Sequence, residues 1–410
     1  MAAAPISLFH AFGVELEYMI VDARTLSVRP IADEVLKAAA GQITSEVECG
    51  EIAWSNELAL HVIELKTNGP APSLAPLPTL FQEQVTRIQE ILARYDARLM
   101  PTAMHPWMNP DQELRLWPHD YNPVYESYNR IFDCRGHGWA NLQSVHLNLP
   151  FADDEEFGRL HAAIRLLLPI LPALAASSPV VERRLSGLLD TRMETYRSNS
   201  QRIPSITGAV IPEPVFTRKD YQQRILERMY ADIAPHDPAG ILQHEWLNSR
   251  GAITRFDRNT IEIRVLDVQE CPLADVAICA AAAAVLQALT KERWTPLADQ
   301  QSLEVEPLAE VFLAAIRDGE QAVVQNSAYL AQFGYSRPAA TLGDLWRHLL
   351  EDVMPASGPW LAPLNVLLEQ GPLARRIVRA LGDGCQDPER LGAVYRQLCD
   401  CLTEGRMFLA

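Results

Sequence analysis

The stretch Gly13-Val-Glu15-Leu-Glu17-Tyr18 decides the fold prediction, because acidic and apolar residues alternate strictly along it. Side chains on a β-strand point to opposite faces with a period of two. Glu15 and Glu17 therefore project from one face, about 6–7 Å apart, the distance that two strand residues span. The apolar residues between them face the other side. The stretch predicts a strand with one acidic face and one core face.

A second alternating stretch lies far along the chain, in Thr260-Ile-Glu262-Ile-Arg264-Val-Leu266. Glu262 and Arg264 share one face, opposite the apolar residues. Such alternation, with long connections between strands, favours an antiparallel α+β sheet over a doubly wound parallel one. The predicted strands are residues 12–21, 57–66, 97–104, 142–149 and 260–267.

Further polar residues follow the same strand periodicity. In Gln143-Ser-Val-His146-Leu-Asn148, His146 and Asn148 share a face, and imidazole readily binds divalent metals. Glu57 and Glu64 are seven residues apart, which puts them on opposite faces of a regular strand, so either Glu57 precedes the strand or a bulge realigns them. Taken singly, each motif is also compatible with a solvated acidic face or a structural histidine.

Several basic residues have two interpretations. Arg264 beside Glu262 suits the stabilisation of a phosphoryl group, or it forms a local ion pair. Arg258 near the same strand strengthens the first interpretation. The basic and polar run 192–204, which contains Arg197, is either a solvated loop or a ligand contact. His105 follows a predicted strand and is either a site residue or a packed one.

Composition limits the class of protein. The chain has 410 residues, 48% of them hydrophobic, and a formal net charge of -16. This length and apolar content suffice for a substantial core. The negative charge argues against a nucleic-acid partner, which needs a basic surface. Residues 276–289 are apolar but shorter than a membrane span, and the first residues lack a signal-peptide pattern. Seven cysteines, an odd number, suit a reducing compartment, so we expect a cytoplasmic protein without a membrane partner.

Helical periodicity is clearest at 78–95, 156–176, 219–232 and 274–292, and it dominates from residue 302 onward. We predict a domain over residues 1–295 that carries the site. Residues 296–410 form a helical segment packed on it, so that the two make one structural unit. Cys399 and Cys401 are predicted to be helix-packing thiols.

Taken together, these motifs resemble the glutamate–cysteine ligase and carboxylate–amine ligase families, which have the glutamine synthetase-like superfold. The resemblance covers about residues 12–288 and rests on the four motifs in this order. It implies a curved antiparallel sheet with a metal-bearing concave face, backed by helices, and a helical C-terminal segment.

The resemblance also implies roles for particular residues. Glu17, Glu57 and Glu64 would hold one divalent metal, and Glu15, His146 and Glu262 a second. Arg264, with Glu262, would be catalytic and would contact the transferring phosphoryl group. The residues assigned to nucleotide binding are Gln143, Asn148, Arg258 and Arg197. The cofactors that the resemblance implies are ATP and two or more Mg²⁺ or Mn²⁺ ions. No Gly-x-x-x-x-Gly-Lys loop is present, so the nucleotide would be held through the metal.

The implied reaction is ATP-dependent formation of a γ-glutamyl-type amide through an acyl phosphate, with an amino acid and an amine as substrates. The segment Cys134-Arg-Gly-His137-Gly departs from the simpler carboxylate–amine ligases, which leaves the amine open. Two alternatives remain: a phosphotransferase on the same scaffold, and a non-catalytic protein that binds metal or nucleotide for regulation. A homo-oligomer is possible.

Overall fold

The structure is a computed structural model that describes residues 5–410, and its centre is one eight-stranded sheet. The strands of the chain are β1 (Gly13–Asp22), β2 (Glu46–Cys49), β3 (Ile52–Asn56), β4 (Val62–Thr67), β5 (Ala97–Met100), β6 (Ser144–Pro150), β7 (Val180–Val181), β8 (Arg184–Leu185), β9 (Ala252–Arg255), β10 (Thr260–Asp267), β11 (Val323–Val324) and β12 (Ala340–Thr341). In the main sheet the order is β2-β3-β4-β1-β6-β10-β9, and β5 pairs with the end of β1. Two further pairs, β7 with β8 and β11 with β12, stand apart.

Every strand pair in the main sheet is antiparallel, which confirms the predicted sheet type. On one face of β1, Val14, Leu16 and Tyr18 are fully buried in the main core. The opposite face of the same strand carries Glu15 and Glu17. The alternation read from the sequence therefore corresponds to one packed face and one polar face of the same strand.

Two predicted strands have different bounds in the structure. The predicted strand 57–66 is wrong in its first half, because β3 ends at Asn56 and residues 57–61 form a turn before β4. The predicted strand 97–104 ends at Met100, and Thr102 has a left-handed backbone conformation (φ 81°) that breaks the extended chain. Strands β2, β3 and β9 were not predicted. All five residues of β3 are buried, so it lacks the alternation that marks a half-exposed strand.

Helices cover the sheet and make up most of the chain beyond residue 295. They are α1 (Ala32–Ala40), α2 (Leu77–Leu92), α3 (Pro110–Glu113), α4 (Asn122–Phe132), α5 (His137–Ala140), α6 (Asp154–Leu167), α7 (Pro172–Ala175), α8 (Thr191–Tyr196), α9 (Arg218–Tyr221), α10 (Glu227–Ile233), α11 (Pro272–Thr290), α12 (Leu297–Gln301), α13 (Val305–Asp318), α14 (Ser327–Ala331), α15 (Leu342–Val353), α16 (Leu361–Gln370), α17 (Leu373–Leu381) and α18 (Pro388–Glu404). A π-helical stretch, Gln222–Leu226, joins α9 to α10, so the predicted helix 219–232 is continuous.

The apolar helix α11 is a core element. By length and composition it could cross a membrane, with a mean hydropathy of 1.9, but 83% of its apolar window is buried inside the protein. It packs against α2, α6, α15 and α16. Its small alanine side chains allow these helices to approach it closely.

The C-terminal helices contribute to two clusters of buried residues: α15 to the main core, and α17 and α18 mainly to a second cluster with Met19 and Met100. Trp346 and Leu349 of α15 belong to the main core cluster, and α18 packs against β5 and α2. Cys399 and Cys401 are buried in α18, as predicted for packing thiols.

Candidate active site

The strand register brings the predicted acids onto one face of the sheet. Glu15 on β1 lies opposite His146 on β6 and opposite Lys66 on β4. Glu17, two residues further along β1, lies opposite Glu64. Residues that are directly opposite in an antiparallel pair point to the same face, so these five side chains form one polar surface across three strands.

Glu15, His146 and Glu262 form the tightest cluster. Their candidate ligand atoms all lie within 4.8 Å of one another, and we call these three residues the triad. His146 Nδ1 lies 2.7 Å from Glu15 Oε2 and 3.6 Å from Glu262 Oε1. Two carboxylates and an imidazole are a suitable donor set for Mg²⁺ or Mn²⁺. The structure therefore brings together the second metal set that the sequence analysis proposed.

Electrostatics also favours a cation at the triad. Burial would raise the pKa of Glu15, but the hydrogen bond and positive charge of His146, together with the charge of Arg264, outweigh it and lower this pKa to about 2. Burial would lower the pKa of His146, yet its hydrogen bond to Glu15 raises it above the usual value. The 2.7 Å contact between His146 Nδ1 and Glu15 Oε2 is the one that a divalent cation would replace.

The other proposed metal set is more loosely arranged. Glu17 Oε2 accepts hydrogen bonds from the Ser144 backbone N–H at 2.6 Å and from its hydroxyl at 3.0 Å. Glu64 accepts from the Ser55 hydroxyl. Glu57 directly follows β3, as one of the two sequence interpretations required. Within residues 5–410, Glu17, Glu57 and Glu64 do not converge as closely as the triad, so their joint role stays a prediction.

The crowding of these acids nevertheless raises the pKa values of two of them. Burial, followed by the charge of Glu15, raises the pKa of Glu64 to about 8. Burial and the charges of Glu17, Glu64 and Glu15 raise the pKa of Glu57 well above its usual range. Buried carboxylates at short range repel one another, and a bound divalent cation would relieve that repulsion.

Arg264 lies beside the triad, at an irregularity in β10. The register between β6 and β10 shifts between Ile263 and Leu266, which indicates a β-bulge. Arg264 Nε donates to Glu262 Oε1 at 2.6 Å. The Arg264 carbonyl accepts from Arg192 Nη2 at 2.6 Å, so a buried side chain replaces the strand partner that the bulge removes.

A cleft of about 240 Å³ opens beside these groups. Its lining includes Glu17, Glu57, Ser144, His146 and Arg264 on or next to the sheet, and five aromatic residues from helices and the segment before β9: Tyr125, Tyr128, Trp139, Tyr196 and Trp246. The cleft is therefore lined by charged side chains and by aromatic side chains.

Of the four residues predicted to bind nucleotide, Asn148 lies at the triad, where its Nδ2 donates to Glu15 Oε1 at 3.1 Å. Gln143 is fully buried, and neither atom of its amide has a partner among the described residues. The Arg197 side chain is 44% exposed and pairs with Glu194. The Arg258 side chain is 67% exposed in the turn before β10. The structure does not bring Gln143, Arg197 or Arg258 to the cleft.

His105 is a packed residue. Its Nε2 bonds the Leu26 carbonyl at 2.8 Å and its Nδ1 accepts from the Trp107 N–H at 3.2 Å. Sequence reasoning missed Lys66, whose Nζ lies 3.6 Å from Glu64, although alternation from Glu64 would have placed it on the same face. Ligand contact was one of the two interpretations of the run 192–204, and Arg192, Tyr196 and Asn199 of that run line the cleft. No local pattern in the sequence reveals the contacts of Arg192 or the other aromatic residues of the cleft.

Comparison with known proteins adds the family. The family model described as glutamate-cysteine ligase family 2 matches residues 11–396. The chain belongs to this family. The resemblance stated from the motifs is confirmed. Among sequences similar to this chain, an uncharacterized protein of Archaeoglobus fulgidus is 32% identical over 97% of this chain and 100% of its own length. A protein of Rubrobacter xylanophilus with the provisional name glutamate–cysteine ligase 2-3 is 26% identical over 67% of this chain and 70% of its own length.

Solved structures share the fold of this family member. The crystal structure of glutamate–cysteine ligase from Francisella tularensis in complex with AMP matches with a TM-score of 0.55 at 15% identity, over 97% of this chain and 90% of that one. A bifunctional glutathione synthetase from Pasteurella multocida matches with a TM-score of 0.51 at 15% identity, over 96% of this chain and 52% of that one. At this identity the likeness shows a common architecture, a large antiparallel sheet with helices.

Proposed function

We propose that this protein is an ATP-dependent carboxylate–amine ligase that forms a γ-glutamyl-type amide through an acyl phosphate. The observation that carries the proposal is the triad with Arg264 beside it, in one cleft. Membership of glutamate-cysteine ligase family 2 supports the reaction class. The AMP complex of the Francisella tularensis enzyme supports ATP as the nucleotide.

The proposed chemistry has two steps. A carboxylate oxygen of the first substrate takes the γ-phosphoryl group of ATP, and ADP leaves. The amine nitrogen then bonds to the acyl carbon, the carbon–oxygen bond to phosphate breaks, and the nitrogen loses a proton. Each step moves negative charge that the site must stabilise, and such stabilisation is usually the largest catalytic term.

Different residues of this chain would stabilise this negative charge in different ways. Glu15, His146 and Glu262 would hold a divalent cation, and Glu17, Glu57 and Glu64 would hold further cations. Bound Mg²⁺ or Mn²⁺ would neutralise phosphate charge. Arg264 is oriented by its Nε bond to Glu262, while its Nη groups make no hydrogen bond to the described residues. Those Nη groups would bind the transferring phosphoryl oxygens, for which a planar guanidinium is well suited.

The same proposal includes a curved, metal-bearing concave face of the sheet and a cytoplasmic location. It also includes small-molecule substrates, without nucleic acid or membrane partners, and a homo-oligomeric state. Nothing in the geometry favours the phosphotransferase or the regulatory protein over the ligase. A screen for product release distinguishes both alternatives from the ligase.

The test is a screen of ADP and phosphate release with Mg²⁺ and ATP, over a matrix of amino acids and amines, with products identified by mass. A ligase releases phosphate only when both a carboxylate and an amine are present. A phosphotransferase accumulates a phosphorylated product without any amine. Nucleotide binding without turnover across the matrix would identify a regulatory protein and refute the ligase.

A further inference from the structure

Five aromatic residues line the cleft, and we call them the aromatic wall: Tyr125, Tyr128, Trp139, Tyr196 and Trp246. They come from α4, α5, α8 and the segment before β9. The ring centroids of Tyr128 and Trp139 lie 5.1 Å apart, and those of Tyr128 and Trp246 lie 6.0 Å apart. Tyr128, Trp139 and Trp246 therefore form one cluster of adjacent rings, and Tyr125 and Tyr196 line the same cleft.

The protein does not fully cover these aromatic rings. Tyr128 is buried, but Tyr125, Trp139, Tyr196 and Trp246 are only half-buried, and all five line the cleft. The Tyr196 hydroxyl is shielded from solvent and has no hydrogen-bond partner among residues 5–410. A shielded polar atom without a partner is costly unless a ligand or water satisfies it. The wall thus offers aromatic faces and one free polar group to a ligand.

The wall stands next to the reacting groups. Arg264 and His146 line the same cleft, and the charge of Arg264 acts on Tyr128, lowering a pKa that burial raises. The cleft volume of about 240 Å³ is below the roughly 300–1,000 Å³ typical of pockets for drug-sized ligands. If the γ-phosphoryl group of ATP binds Arg264, the triphosphate and the ribose separate the adenine ring from Arg264. The adenine ring would then lie outside this small cleft. The group against the wall is then one of the two reacting substrates.

We propose that the aromatic wall binds the amine substrate and selects an amine that carries an aromatic ring. This inference rests on the proposed ligase function. Tyr and Trp faces hold a second ring in offset-stacked or edge-to-face geometry, with a preference over an aliphatic group of equal size. A small side chain such as a thiol would leave most of the wall without contact.

The first test compares matched amines as substrates of the wild-type protein, with glutamate and Mg-ATP. Because aromatic pairs contribute beyond their buried area, kcat/KM for 2-phenylethylamine should exceed that for 2-cyclohexylethylamine by about threefold to tenfold. Ethylamine and cysteine should be poorer than both. Equal rates for the phenyl and cyclohexyl amines, or cysteine as the best amine, would overturn the inference and leave the ligase proposal standing.

The second test removes part of the wall. Trp246→Leu should raise KM for 2-phenylethylamine about tenfold, a loss typical of an aromatic stacking partner, and should raise KM for ethylamine by a smaller factor. Trp360→Leu, a half-buried tryptophan that does not line the cleft, is the matched control and should change neither. Trp139→Phe, which keeps a ring, provides a milder variant if Trp246→Leu does not fold, and should raise the same KM less.

The variants also separate the wall from a nucleotide site. If Trp246→Leu raised KM for ATP by the same factor with every amine, the wall would hold the adenine ring and the inference would be wrong. If no amine supports phosphate release by the wild-type protein, the proposed function fails and this inference fails with it. Phosphate release with small amines alone would refute only the selection of an aromatic ring.

Discussion

At the scale of single residues, the triad concentrates three functional groups from three strands at one point. Glu15 comes from β1, His146 from β6 and Glu262 from β10. Each is held by a neighbour: Asn148 donates to Glu15, the Ser144 hydroxyl bonds His146 Nε2 at 2.9 Å, and Arg264 donates to Glu262. Such supporting bonds fix the orientation of metal ligands.

Glu262→Gln should lower kcat by about 10²–10³-fold, because it removes one charge from the triad and the anchor of Arg264 while keeping the shape. Mg²⁺ affinity should fall as well. Steady-state kinetics and calorimetry with Mg²⁺ measure these effects. Glu310→Gln, at an exposed position on α13, is the control and should behave as wild type. A folded Glu262→Gln protein with near-normal turnover would exclude this carboxylate from the site.

Arg264→Lys should lower kcat by about a hundredfold and leave KM for ATP little changed, because lysine keeps the charge but lacks the planar fork. Kinetics and melting temperature are measured on the same preparation. Arg258→Lys, at the exposed turn before β10, serves as control and should have no effect. Loss of activity that follows only the unfolded fraction would make Arg264 a structural residue. A weaker ATP affinity in the Arg258 variant would restore its predicted nucleotide role.

His105 should make stability depend on pH. Burial lowers the pKa of His105 to about 3, whereas an unfolded histidine titrates near 6.5. Between these values the unfolded chain binds the extra proton, so stability is full above pH 6.5 and falls as the pH drops toward 3.

The His105→Gln variant should therefore lose less stability on acidification, by about 1.4 kcal/mol per pH unit between pH 6 and 4, although it is less stable at neutral pH. Urea unfolding across this range measures the slope. His10→Gln, at an exposed position, should leave the slope unchanged. An identical slope in wild type and His105→Gln would show that His105 is not the group that titrates.

At the scale of elements, the bulge in β10 rearranges one face of the sheet. Asp267 pairs with Ser144, so it lies on the same face as Glu262 although the two are five residues apart. Buried Arg192 donates to Asp267 Oδ1 at 3.2 Å and to the Arg264 carbonyl. Arg192 thus connects α8 to the Arg264 backbone and to Asp267 at the end of the strand, and we expect this connection to position Arg264.

Arg192→Met should lower the free energy of unfolding by about 3–5 kcal/mol, because it leaves the buried Asp267 charge without its partner. In the folded fraction, kcat should fall while KM for ATP changes little. Adding Asp267→Asn should restore part of the stability but not kcat, because the Arg264 carbonyl still lacks its bond. Recovery of both in the double variant would show that Arg192 stabilises the fold and does not position Arg264.

At the scale of the whole molecule, the end of the chain is tied to the sheet. Arg376 and Glu270 form a fully buried ion pair, Arg376 also donates to the Phe408 carbonyl, and the Phe408 N–H donates to Glu270 Oε1 at 3.0 Å. Phe408 is buried in a cluster with Met19 of β1. These contacts join the last residues to the strand that carries Glu15 and Glu17.

Phe408→Ala should therefore lower the free energy of unfolding by about 3–5 kcal/mol, the cost of truncating a buried phenylalanine. Leu409→Ala is the matched control, since Leu409 is 62% exposed, and should change it by less than about 0.5 kcal/mol. Circular dichroism and tryptophan fluorescence should report one coincident transition. Two separate transitions would contradict our proposal that residues 1–295 and 296–410 form one unit.

The sequence by itself determined what depends on neighbours along the chain. Alternation predicted β1 and β10, the latter with its observed bounds, and it placed Glu15 with Glu17 on one face because side-chain direction in a strand is a local property. The triad was implied by family resemblance, since no spacing in the chain reveals that Glu15, His146 and Glu262 meet.

Only the tertiary structure decided which distant residues become neighbours. The register of β6 against β1 and β10 brought the triad together, and the turn after β3 placed Glu57 at the cleft. The buried partners of Arg264 and the aromatic wall come from segments as far apart as residues 125 and 246. Register and packing depend on the whole core at once, and a local pattern carries no information about them.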